Sequence, residues 1–114
     1  MILPKTIEIL NRTYKVIEKD MLREGDAIGI CFPFTGVINV EKCLNNQVKA
    51  GTFLHEILHA MLDSMGHQID SGLHTEQNVT IITNGLATIM RDNPDTIKSI
   101  VDGLERDDLE EDED

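Results

Sequence analysis

The stretch TFLHEILHAML, residues 52–62, decides how the second half of this chain is read. Its apolar residues recur at three and four: Leu54, Ile57, Leu58 and Met61, continuing to Met65. That spacing gathers them on one side of an α-helix and lacks the alternation of a half-buried strand. Followed outward, the pattern runs from about Leu44 to Met65, and Gly66 supplies a stop. His55 and His59 fall four residues apart on this helix. Four residues turn the backbone by about 400°, so the two imidazoles lie within roughly 40° of each other and one turn apart. Glu56, the next residue after His55, is rotated from it by about 100°.

Downstream the spacing predicts a second helix from about Thr75 to Arg91, with Val79, Ile82, Leu86, Ile89 and Met90 on one face. Asn84-Gly85 is its weak point. Asp92-Asn93-Pro94 ends it, with Asn93 as the cap and Pro94 as the first residue of a third helix striped by Ile97, Ile100, Val101 and Leu104. Upstream, KTIEILNRTYKVI at residues 5–17 reads as two short strands turned at Asn11-Arg12. IGICF at 28–32 and VINV at 37–40 read as two more, separated by the turn residues Pro33 and Gly36. The expected fold is α+β: a small antiparallel β-meander packed on the His55–His59 helix, plus two further helices.

The 114 residues suit one domain, and 40% of them are apolar. Aromatics make up only 4% and Trp is absent, so the core is expected to be Ile, Leu, Val and Met. Cys31 and Cys43 have no metal-ligand spacing and read as buried small apolar residues. The net charge of −11 is uneven: ERDDLEEDED, residues 105–114, holds eight acids and one base, leaving −4 on the rest. Residues 1–104 are therefore expected to form the domain. Residues 105–114 read as a solvated, disordered tail, or else as a DNA-mimicking or partner-docking one. The acidic balance argues against nucleic-acid binding, which needs a basic surface. No run is long enough to span a membrane. MILPKTIEIL lacks the basic region and long apolar segment of a signal peptide, and the unpatterned cysteines suit a reducing cytoplasm. Nothing in the sequence sets the oligomeric state.

The chemistry lies in HEILH. Two imidazoles one turn apart can reach a single ion, and a glutamate beside them stands where it can take a proton from a water held there. This is the H-E-x-x-H arrangement of zinc metalloproteases. The plain alternative is two histidines filling a polar seam. A zinc site of this kind takes three protein ligands. Asp63 lies too far along the helix axis to converge with His55 and His59. Glu76, seventeen residues past His59 and in the first turn of the second helix, is the leading candidate for the third ligand. His74 and His67 are rivals, and either could instead act as an electrophile toward a tetrahedral intermediate.

In this combination the chain resembles the small gluzincin-type zincins, in particular the short phage- and prophage-encoded, minigluzincin-like H-E-x-x-H proteins. The resemblance rests on strands ending in GVINV, then TFLHEILHAML, then HTEQNVTIITNGLATIM, and covers most of the chain. It implies a zincin-like half-domain with zinc on His55, His59 and Glu76, and Glu56 as general base. It further implies hydrolysis of a peptide bond in a peptide or protein substrate. The alternative function is a non-catalytic zinc-binding regulatory protein that docks a partner, and a third possibility is a protein without metal.

Overall fold

A computed structural model describes residues 1–25 and 27–105. The chain divides into two compact units, Met1–Asn84 and Gly85–Asp114. The acidic segment expected to be a tail falls, apart from Glu105, outside the described residues.

The first unit begins with a hairpin. β1 (Thr6–Ile9) pairs antiparallel with β2 (Arg12–Lys19), so that Ile7 lies opposite Tyr14 and Ile9 opposite Arg12. The turn is Leu10-Asn11, one residue earlier than the sequence suggests. Both residues have positive φ, 50° and 69°, as a tight two-residue hairpin turn requires, and Asn tolerates that region better than most residues. A 3₁₀ turn (Leu22–Glu24) leads to β3 (Gly29–Phe32), followed by β4 (Val37–Glu41).

The α+β class is as expected, but the strand order is not that of a meander. The order is β1-β2-β4-β3, with β4 parallel to β2 and antiparallel to β3. The segment after β2 is too long to return as a tight hairpin. It carries β3 to the outer edge, and β4 fills the gap. Glu41, at the end of β4, holds this crossover. Its buried carboxylate accepts hydrogen bonds from the backbone N–H groups of Met21, Leu22 and Cys43 at 2.7, 2.8 and 2.8 Å.

One face of the sheet carries Ile7, Tyr14, Val16, Ile38, Val40 and Cys31, which the register places side by side. α1 (Asn46–Ser64) covers that face with Phe53 and Ala60. Asn45 caps it, its side chain accepting from Val48 N–H at 2.9 Å. Lys49 ties its first turns to the sheet through Glu18 at 2.8 Å. The core is therefore not purely aliphatic: Tyr14 is fully buried and Phe53 nearly so. Cys31 is half-buried, and Cys43, expected inside, is exposed.

α1 ends as the sequence predicts. Gly66 takes φ +92°, and His67 N–H closes back on the Leu62 carbonyl at 2.9 Å, a left-handed C-terminal cap. α2 (Glu76–Asp92) starts where Thr75 caps it, the Thr75 hydroxyl accepting from Asn78 N–H at 3.1 Å. Its first turns pack through Val79 and Ile82 on Leu58 and Leu62 of α1. The rest of its expected buried stripe, Leu86, Ile89 and Met90, is exposed. Asn84-Gly85 does not break the helix, although the two units divide there.

In the second unit, Pro94 opens α3 (Pro94–Gly103) as expected. Asn93 does not cap α3 with its side chain. Its amide donates backward to the Ile89 carbonyl at 3.0 Å and so closes the end of α2. The α3 stripe at Ile100, Val101 and Leu104 is exposed. Among the described residues, no helix is long and apolar enough to cross a membrane.

Candidate metal centre

His55, His59 and Glu76 converge within the first unit. The α1 helix sets the two histidines one turn apart, and their Nε2 atoms are 3.2 Å from each other. Glu76, in the first turn of α2, brings its Oε1 to 2.6 Å from His55 Nε2 and 3.0 Å from His59 Nε2. The packing of Val79 on Leu58 and Leu62 sets this approach, because it docks the start of α2 against the middle of α1.

Three such atoms so close leave no place for water between them. Two imidazole nitrogens and a carboxylate oxygen are the donor set that a cation could take. Bonds of about 2.0–2.1 Å from a tetrahedral zinc ion place its ligand atoms roughly 3.3 Å apart. The observed separations, 2.6, 3.0 and 3.2 Å, lie inside that spacing, and a modest spreading of the three groups would let two imidazoles and one carboxylate hold such an ion. Glu76 is largely exposed, with 68% of its side chain accessible, whereas His55 and His59 are mostly covered, at 22% and 12%. The cluster therefore opens to solvent on the Glu76 side.

Electrostatics follow from this packing. Burial lowers the His59 pKa, and the nearby Glu76 carboxylate only partly offsets that. Partial burial pushes Glu76 upward, but its close contacts with the His59 and His55 rings outweigh that and hold the carboxyl below its ordinary range.

Glu56 lies on the sheet-facing side of α1, 6% exposed, against Gly29 of β3. A Cβ on Gly29 would stand 2.6 Å from Thr52 Cγ2 and 3.0 Å from Glu56 Oε2. Only glycine admits the helix this close. Burial, and then the charge of Glu76, raise the Glu56 carboxyl to about 7. Glu56 lines a cleft of about 350 Å³ together with Gly29, Cys31, His59, Asp63, His74 and Glu76. Burial likewise pushes the Cys31 thiol up to about 12, with the charges of Glu56 and Asp63 adding to the effect, so it stays protonated.

The remaining candidates fall outside the three-atom cluster. Asp63 is half-buried on the cleft wall. The His67 side chain is exposed, and only its backbone faces inward. His74 is 2% exposed, and its Nε2 lies 2.7 Å from His59 Nδ1, on the opposite side of the His59 ring from the cluster. Two functional placements were missed from sequence. Gly29 carried a usable signal, since a glycine inside a strand often marks a close approach. Glu41 carried none.

Compared with known proteins, the chain matches no family model, no curated protein and no solved structure.

Proposed function

We propose that this chain is a minimal zinc-dependent peptidase of the gluzincin type, acting in the cytoplasm on peptide or protein substrates. The observation that carries it is the convergence of His55, His59 and Glu76, two of which, His59 and Glu76, line one cleft with the buried Glu56. Zinc bound there would supply Lewis acidity, polarising the scissile carbonyl and acidifying a water.

The chain's own residues would do the rest. His55, His59 and Glu76 would hold the ion. Glu56, with a carboxyl near 7, is matched to accept a proton from water near neutrality and return it to the leaving amine. The sheet edge at β3 and the segment through Pro33 wall the cleft where a substrate would lie.

The non-catalytic alternative, a zinc-binding module that docks a partner, draws support from the exposure of Glu76, which leaves the ion poorly enclosed. Glu56→Gln separates the two. A peptidase loses turnover of a peptide library by about 10²–10⁴-fold while keeping zinc. A zinc-loaded parent that cleaves no member of the library, with Glu56→Gln indistinguishable from it, supports the binding module instead.

A further inference from the structure

The geometry points to His74 as a positioning residue: held by the backbone carbonyl of His67, it fixes His59 in the tautomer whose bare Nε2 faces His55 and Glu76. The inference follows from which atoms can donate. His74 Nδ1 lies 2.5 Å from the His67 carbonyl oxygen. A carbonyl only accepts, so the proton is on His74 Nδ1, and the Nε2 of the neutral ring carries a lone pair. That Nε2 is 2.7 Å from His59 Nδ1. Two lone pairs cannot face each other at that distance in a buried contact, so His59 Nδ1 carries a proton and donates it. The lone pair of neutral His59 is then on Nε2, the atom 3.0 Å from Glu76 Oε1 and 3.2 Å from His55 Nε2.

The relay opposes two competing preferences. A free neutral histidine side chain favours the proton on Nε2. A nearby carboxylate favours it there too, because Nε2–H would donate to Glu76 and close the cluster on a proton. His74 removes that option and leaves His59 ready for a cation. Partners of this kind orient metal-binding histidines, and their loss typically costs about 10–100-fold in affinity.

The anchor of the relay is built by the loop after α1. The Gly66 cap turns the chain so that His67 N–H bonds the Leu62 carbonyl, which anchors the residue whose carbonyl oxygen receives His74. The loop closes on itself through Asp70 N–H to the His74 carbonyl at 2.7 Å and His74 N–H to the Ser71 carbonyl at 3.0 Å. Both ring nitrogens of His74 are therefore engaged, which removes it as a rival third ligand.

The role of His74 toward an ion rests on the proposed metal centre, but the tautomer does not, so the two can fail separately. The test is a long-range ¹H–¹⁵N spectrum of the metal-free, ¹⁵N-labelled full chain at a pH where its imidazoles are neutral, with zinc titration in parallel. The expected parent spectrum has both His59 and His74 protonated at Nδ1. His74→Gln places an amide oxygen near the lost Nε2 and keeps the His59 proton on Nδ1, with zinc affinity close to the parent's. His74→Phe fills the space without an acceptor, moves the His59 proton to Nε2 and weakens zinc by about 10–100-fold. A parent whose His59 is protonated at Nε2 overturns the inference, as does His74→Phe with an unaltered His59 tautomer. If His74→Phe fails to fold, the parent and His74→Gln spectra decide alone. An Nδ1 pattern in a parent that takes up no zinc upholds the relay and removes the metal centre.

Discussion

Glu56 and Glu76 are two carboxylates whose surroundings suit them to opposite proposed tasks. Glu76 is held below its ordinary range by the two histidines and points its oxygen between them, which suits a ligand. Glu56 is buried against Gly29 and raised to about 7, which suits a proton acceptor. Glu76→Gln replaces a charged oxygen with a neutral one and is expected to weaken zinc by more than about 100-fold, beyond the usual cost of losing an outer partner. Glu56→Gln is expected to bind zinc as the parent does. Isothermal titration of both variants checks this, and equal affinities for Glu76→Gln and the parent would place the third ligand elsewhere. The two histidines were legible in the sequence because helical spacing, which is local, sets them one turn apart; Glu76 was legible as a first-turn residue beside an apolar stripe, though its approach depends on α2 packing on α1. The role of His74 was not, because it depends on a loop folding back to offer the His67 carbonyl.

At the scale of elements, the approach of α1 to β3 and the crossover held by Glu41 both position the cleft wall. Gly29→Ala puts a methyl group into Thr52, a side chain stiff at χ1, and is expected to cost about 1–3 kcal/mol. Gly51→Ala, in the interior of α1 with nothing within 4 Å of the added Cβ, is expected to stabilise by about 0.4–1 kcal/mol. Urea unfolding of the pair should show midpoints moving in opposite directions; a shift of both the same way contradicts the close approach at Gly29. Glu41 gives a pH prediction. Three backbone N–H donors, opposed by burial, lower its carboxyl to about 2 from an ordinary 4.5. The folded value lies below the unfolded one, so the stabilisation is complete above about 4.5 and is lost as pH falls from there through about 2. Glu41→Gln should lower the melting temperature near neutrality and flatten its fall over that acid window, as a series of melts will show. The meander expectation failed at this same residue. Alternating apolar residues reveal that strands exist, but β4 lies between β2 and β3, where the Glu41 carboxylate meets the distant N–H groups of Met21 and Leu22.

For the whole molecule, a metal that binds only the folded chain must stabilise it. Free zinc at 100 times its dissociation constant should add about 2.7 kcal/mol, which raises the melting temperature by roughly 4–8 °C per kcal/mol in a domain of 60–100 residues. A chelator should reverse the shift. Acid should erase it, because the histidines must be neutral to bind. His55→Ala and His59→Ala should melt at the same temperature with and without zinc. The measurement that bears most directly on the metal centre is elemental analysis of protein purified without chelator, joined to zinc-edge X-ray absorption. The expected result is about one zinc per chain, bonded only to nitrogen and oxygen at about 2.0–2.1 Å with two imidazoles in its shell. A chain that neither retains nor takes up zinc, or a zinc shell containing sulfur at about 2.3 Å from Cys31 or Cys43, would contradict it.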